Sequence, residues 1–375
     1  DENMRPTIAV PYFSGSNGDT DFIGRLRDFG MKPLPLYFNF GDEKRLEENS
    51  HILKEVDGAV LCGGFPYEDR LGFGRVPAKI SYYADAMRYL VDSGKPVLAV
   101  CSGNQIAHVM RLAFSIDSPY KASMLPNICD KDGEIAFHGF YNNIVHSKLV
   151  CNPQRTAFTR SYEQHEIMPQ IVAHGGGRFW ADENTLVYLL SRGLIVRQYC
   201  DEQGNVIDNF PTNPNGSMLN IESVTNERGN IKIGMCHDER KLNALQNDRA
   251  NASLASMREY IEDGCPDLSV YATPLDIPIK LKDYSYLCPE LDPKRTFDIY
   301  IKMLTDDNER TTAQLFLGEG LDIDRRRLIR VELAEGQANI DVAKEVVEEI
   351  AKMDFYDGIM LKKDLPLVNG PNYPV

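Results

Sequence analysis

The stretch Val97-Leu98-Ala99-Val100-Cys101-Ser102-Gly103-Asn104-Gln105 constrains this chain more than any other. A continuous apolar run stops at a cysteine, with small Ala99 and Gly103 two residues away on either side. That pattern fits a buried strand that turns sharply into a helix, because only small side chains fit where the backbone folds back on itself. The turn presents Cys101 at the carboxyl edge of a sheet, beside a helix amino-terminus that favours thiolate. A buried structural cysteine behind a core strand has the same local signature. The rest of the chain has to decide between the two.

The first half alternates strand-like and helix-like segments. Thr7–Val10, Pro35–Phe38, Gly58–Cys62 and Val97–Val100 read as strands; Phe22–Phe29, Ala78–Asp92 and Asn104–Leu112 read as helices. Apolar strands alternating with helices predict an α/β fold, an open, mostly parallel sheet with helices on both faces. Ligands of such sheets sit at the carboxyl ends of the strands, where both Gly63-Gly64 and Cys101 fall. From about residue 138 the texture changes. Asn143–Cys151, Thr185–Leu190, Ile195–Tyr199 and Ile231–Met235 read as strands, with hairpin-turn signals at Asp201–Asn205 and Asn226–Asn230. Ala252–Glu262 reads as a helix. Three parts follow: a main domain over 1–262, a Pro-bearing linker over 263–295, and a small α+β domain over 296–375. In the last, Thr296–Met303, Leu328–Leu333 and Tyr356–Leu361 are strands and Val342–Met353 is an amphipathic helix.

Composition narrows the function classes. A formal net charge of -14 argues against a nucleic-acid-binding surface. No run approaches the roughly 18 apolar residues of a membrane helix, and the polar start gives no leader pattern. The eight cysteines form no Cys-x-x-Cys pair, so a zinc site is not expected. Scattered cysteines inside apolar runs suit reduced thiols in a cytoplasm.

A cysteine nucleophile needs a base and a group that orients the base. His237, after an apolar strand and two residues before Glu239, fits both needs, although a surface histidine in a charged turn reads the same way. An oxyanion needs N–H donors, and Gly64 after Gly63 offers one at a strand end, as does Ser102 after the nucleophile. A plain tight turn is the other reading of the two glycines.

Six segments, in order, resemble the class I glutamine amidotransferases, and most closely the glutaminase of phosphoribosylformylglycinamidine synthase. Phe13–Asp19 resembles that family's Pro-Gly-Ser-Asn segment, with Ser14 in the proline's place. Gly63–Asp69 resembles Gly-Gly-Phe-Ser-Tyr-Gly-Asp, and Ala99–Gln105 resembles Gly-Ile-Cys-Asn-Gly-x-Gln. Ala173–Phe179 resembles Ala-His-Gly-Glu-Gly-Arg-Phe, Asn213–Ser217 resembles Asn-Pro-Asn-Gly-Ser, and Met235–Arg240 resembles Met-Pro-His-Pro-Glu-Arg. The resemblance covers roughly 7–245. It implies that Cys101 attacks the side-chain amide of L-glutamine, that His237 shuttles the proton and that Glu239 orients it. Gly64 and Ser102 would hold the oxyanion, and Gln105 with Asn215, Gly216 and Ser217 would line the glutamine pocket. It also implies a large ATP-dependent synthetase subunit as partner. That subunit would bind ATP and magnesium, since this chain has no Gly-x-x-x-x-Gly-Lys loop and needs no cofactor of its own.

Four departures bear on that reading. Gly176 and Glu68 stand where the family has Glu and Gly, Glu68 adding bulk and charge near the oxyanion strand; Asp238 replaces a proline, which frees the backbone between His237 and Glu239; and Ser102 replaces Asn. They leave open a glutaminase for a different nucleotide amidation, or a silent scaffold. Residues 296–363 distantly resemble the family's small bridging subunit; an extension that packs on the glutaminase or drives self-association is the alternative.

Overall fold

Residues 8–10 and the strands Gly58–Leu61 and Val97–Val100 are buried on both faces because they lie inside a sheet, whereas Lys32–Tyr37 forms its edge and is partly exposed. In the computed structural model, residues 5–114, 120–242, 249–282, 294–303, 327–333, 341–342, 345 and 356–362 are described. Two compact units result, 1–281 and 282–375. The first unit begins with β1 (Thr7–Tyr12), α1 (Asp19–Asp28), β2 (Lys32–Tyr37), α2 (Glu43–Glu55) and β3 (Gly58–Leu61). Next come α3 (Arg75–Ala78), α4 (Ser81–Asp92), β4 (Val97–Val100) and α5 (Ser102–Val109). Strands β5 (Ala122–Leu125), β6 (Ile128–Lys131), β7 (Glu134–His138), β8 (Tyr141–Leu149), β9 (Ile167–His174) and β10 (Arg178–Ala181) follow. The unit closes with α6 (Glu183–Ser191), β11 (Ile195–Cys200), β12 (Ile221–Thr225), β13 (Ile231–Gly234) and α7 (Ala252–Glu262).

One nine-stranded sheet runs in the order β2-β1-β3-β4-β13-β12-β11-β8-β9. From β2 to β13 neighbours are parallel, and from β13 to β9 they are antiparallel. Alternate residues of the parallel strands face opposite layers, as the two-residue period of a strand requires. Ala9, Ala59, Leu61, Val97 and Ala99 pack with Leu53 of α2 and with Tyr83, Met87 and Leu90 of α4. Ile8, Val10, Val60, Leu98 and Val100 pack with Phe22 and Leu26 of α1 and with Leu254, Met257 and Tyr260 of α7. The predicted α/β sheet with helices on both faces is this part of the molecule.

Two expectations change. Thr185–Leu190 reads as a strand but lies in α6. Asp182 caps the helix by accepting the Thr185 N–H at 2.9 Å, and Thr185, Leu186, Leu189 and Leu190 share its buried face. The turn at Asp201–Asn205 forms, its carboxylate accepting the N–H groups of Gln203 and Asn205, but β12, the antiparallel partner of β11, begins only at Ile221, so the turn does not by itself close a tight hairpin. The turn at Asn226–Asn230 does join the antiparallel pair β12 and β13.

The stretch read as a linker has little regular structure, yet up to Leu281 it belongs to the first unit. Leu275, Ile277 and Ile279 pack on the core at strand-like spacing, and the Leu275 N–H reaches the Leu190 carbonyl. Pro274 and Pro278 lack the N–H groups that would extend this into a ladder. The second unit contains an antiparallel sheet of β14 (Thr296–Met303) between β15 (Arg327–Glu332) and β16 (Tyr356–Lys362). Residues 341–342 and 345 are helical; the rest of the helix expected over Val342–Met353, and Cys288, lie outside the described residues.

Candidate active site

Strands β3, β4 and β13 are parallel neighbours, so their carboxyl ends share one edge of the sheet. Gly63-Gly64 follows β3, Cys101 follows β4, and the loop carrying His237 and Glu239 follows β13. Three motifs far apart in the chain therefore meet through strand order.

Cys101 is the cap residue of α5 and has φ 52° and ψ -115°, a conformation that costs a non-glycine residue on the order of 1–3 kcal/mol. Its N–H is tied to the Gly234 carbonyl at 3.0 Å, which joins the turn to β13. Gly103 makes the turn possible: a Cβ there would lie 2.2 Å from the Leu61 carbonyl oxygen. Gly63 makes room on the other side, since a Cβ would lie 2.9 Å from His237 Cε1 and 3.6 Å from Cys101 Sγ. Gly64 has φ +140° and faces Ser16 in an isolated bridge. Ser102 opens α5, so its N–H belongs to the first helical turn, which has no intrahelical acceptor.

His237 is buried, and its Nδ1–H donates to Glu239 Oε1 at 2.6 Å. Burial disfavours the imidazolium, but the Glu239 carboxylate and the Cys101 sulfur outweigh it and hold His237 up at about 10. The ring thus carries its proton at neutral pH, and its Nε2 has no hydrogen-bond partner among the described residues. The Cys101 sulfur lies 3.6 Å from the Ala173 carbonyl oxygen. An imidazole oriented by a buried carboxylate and set beside a cysteine sulfur on a strained turn is suited to nucleophilic acyl transfer.

The groups open on a cavity of about 330 Å³. Cys101, His237, Gly64 and Gln105 line it, with Asn17, Asp69, His174 and Arg240 and the aromatic rings of Phe65, Phe73 and Phe140. Burial and the nearby His237 charge push His174 down to about 3, so it is neutral. Among the described residues no group of three or more His, Cys, Asp or Glu side chains is arranged to hold a metal ion. No helix among them is long and apolar enough to cross a membrane.

Residues 5–264 match the CobB/CobQ-like glutamine amidotransferase domain. The chain belongs to this family. It is similar to phosphoribosylformylglycinamidine synthase subunit PurQ of Methanocaldococcus jannaschii, at 35% identity over 233 residues, 62% of this chain and 88% of that protein. The PurQ subunit of Methanothrix thermoacetophila is 30% identical over 267 residues, 68% of this chain and 98% of its own length. Among solved structures, a chain of PurLQS from Thermotoga maritima aligns with a TM-score of 0.52 at 25% identity, covering 69% of this chain and 100% of that one.

Within this amidotransferase domain, the structure brings together Cys101, His237, Glu239, Gly64, Ser102 and Gln105. It does not bring Asn215, Gly216 and Ser217 to the cavity wall. They are one layer behind, where their polar groups are used to hold the wall itself. Asn215 Nδ2 bonds His174 Nε2 at 3.1 Å, and Ser217 Oγ donates to the Gly177 carbonyl at 3.2 Å. Gly216, at φ +80°, passes so close to Ile128 that a Cβ would strike its carbonyl. His174 and Asp69 lie within two of the resembling segments, in which the resemblance gives them no role, and Phe73 and Phe140 lie outside every motif.

The departures from the family pattern also resolve. A Cβ on Gly176 would strike the Phe73 ring, which occupies the space a longer side chain would need. Glu68 was expected to crowd the oxyanion strand; instead it points outward and pairs with Arg70 at 2.9 Å. Asp238 was expected to loosen the backbone between His237 and Glu239. It does the reverse. Its buried carboxylate pairs with Lys232 at 2.6 Å and accepts from Gln170 Nε2 at 2.9 Å, while Asn251 donates to its carbonyl.

Proposed function

We propose that this chain is the glutaminase of a phosphoribosylformylglycinamidine synthase, releasing ammonia for a partner subunit of de novo purine synthesis. The observation that carries the reading is the convergence of Cys101, His237 and Glu239 on one cavity at the carboxyl edge of β3, β4 and β13. The names of its relatives, PurQ subunits of that synthase, support the acceptor. With the proton of the pair on His237, the Cys101 sulfur attacks the glutamine amide carbon, and the N–H groups of Gly64 and Ser102 stabilise the oxyanion. His237 gives its proton to the leaving amine, ammonia departs, and a thioester remains. Water attacks the thioester and gives a proton to the now neutral His237, glutamate leaves, and the Cys101–His237 pair is restored. Gln105, whose Nε2 donates to the Gly176 carbonyl at 2.9 Å, fixes the wall beside the substrate.

The partner is an ATP- and magnesium-dependent synthetase, and the chain itself uses no cofactor and acts in the cytoplasm. The second unit would serve as a fused counterpart of the small bridging subunit, a role its three-stranded sheet suits. Glutamate release from L-glutamine, alone and with the cognate synthetase, tests the activity, with Cys101→Ala as control. Release that depends on Cys101 and rises with the synthetase is expected. No release in either condition rules out the enzyme. Removing residues 290–375 should abolish synthetase binding; retained binding ends the bridging role.

A further inference from the structure

We propose that Asp69 receives the α-ammonium group of the glutamine substrate. This deepens the glutaminase reading and rests on it. Asp69 lines the cavity that holds Cys101 and His237. Its Oδ1 is buried and has no hydrogen-bond partner among the described residues. A carboxylate oxygen withdrawn from water without a donor is costly, and a cationic donor relieves that cost.

Two arginines, its chain neighbour and one on the cavity, are engaged elsewhere. Arg70, its chain neighbour, pairs with Glu68. Arg240, on the same cavity, has Glu239 at 3.8 Å and Asp21 at 4.0 Å. Burial alone, with no opposing charge, holds the Asp69 carboxyl up at about 6.

The backbone shows that the position is imposed. Tyr67, Glu68 and Asp69 all have left-handed φ values, of 52°, 57° and 53°. Such strain persists only where surrounding contacts over-determine it. Here the Tyr67 N–H is held by the Ser14 carbonyl at 2.7 Å and its hydroxyl donates to the Phe38 carbonyl at 3.3 Å. A strained, anchored turn thus presents an unpaired carboxylate to the cavity of a nucleophilic cysteine. When the amide of glutamine meets Cys101, its far end carries a compact ammonium with three donors, which matches this acceptor.

The test uses the full chain carrying Cys101→Ala, so that ligand is bound and not consumed. Calorimetric titration compares L-glutamine with 4-carbamoylbutanoate, which lacks only the α-amino group. Asp69→Asn should weaken glutamine roughly 10- to 100-fold and leave 4-carbamoylbutanoate nearly unchanged. An equal loss for both ligands, or none for glutamine, overturns the assignment and leaves the glutaminase reading intact. Should Asp69→Asn fail to fold, the Cys101→Ala chain still decides, because equal affinity for the two ligands excludes an ammonium-binding carboxylate. Binding of neither ligand, together with no glutamate release by the unaltered chain, is the separate signature of a failed glutaminase reading.

Discussion

The turn at Cys101 and the loop at 235–240 sit at the ends of adjacent strands, yet they are held in place by opposite means. The turn is local. Its shape depends on a strained cysteine, a glycine two residues on, and a close approach to the end of β3. The loop is held by groups from distant parts of the chain. The His237 N–H reaches the Ile171 carbonyl, Gln170 and Asn251 hold Asp238, and Ser147 donates to Gln170 at 2.6 Å. Beneath the loop lies the buried Lys232–Asp238 pair, with Glu222 accepting the Cys236 N–H. The nucleophile is thus set by backbone geometry and the base by a buried polar network. Such networks tolerate loss of one member poorly, because the partner is left unsatisfied.

That contrast can be broken at either end. Cys101→Ala should lower glutamine hydrolysis on the order of 10⁴-fold or more while leaving the melting temperature nearly unchanged. A large drop in melting temperature would make the thiol structural. Lys232→Met strands a buried carboxylate and should destabilise the fold by about 3–5 kcal/mol in urea unfolding. Adding Asp238→Leu should return part of that loss, and additive losses would mean that the pair is not coupled. Gly103→Ala forces a Cβ against the Leu61 carbonyl and should cost about 1–3 kcal/mol, with activity falling as the turn shifts. A fully active, fully stable variant would show that the turn does not depend on this close backbone approach.

His237 supplies a pH signature. It sits at about 10 in the folded chain against the ordinary 6.5, so its imidazolium adds stability. That contribution is complete below about pH 6.5 and is lost as pH rises toward about 10. Glu239→Gln removes the carboxylate that raises it, so the alkaline loss should finish at lower pH. Unfolding midpoints measured across pH 6 to 10 check this; superimposable profiles would remove Glu239 as the cause. The smallest effect is expected from Asn215→Ala, about 1 kcal/mol of stability and a modest rise in KM, because Asn215 acts through His174. A collapse of kcat would return Asn215 to the substrate itself.

How much of this was legible depended on how local each feature is. The apolar strands Gly58–Leu61 and Val97–Val100 announced themselves because both faces are buried. Thr185–Leu190 misled because its β-branched, apolar composition suits a strand, while the deciding Asp182 cap lies just outside it. Asp238 looked like a release of backbone stiffness because the buried Lys232 that anchors it belongs to β13 and shows no pairing in the sequence. Asn215, Gly216 and Ser217 looked like pocket residues, and only packing shows that Asn215 and Ser217 spend their polar groups on the wall behind it.

By itself the sequence determined the strand-turn-helix at Cys101, the glycine pair after β3 and the His237-x-Glu239 spacing. Each depends on residues within a few positions of one another, where sterics and side-chain reach act directly. The tertiary structure decided that these pieces form one site. Pairing of β4 with both β3 and β13 is a long-range choice, made by burying two faces of a sheet. The cavity, the unpaired carboxylate of Asp69 and the Lys232–Asp238 anchor exist only once that choice is made.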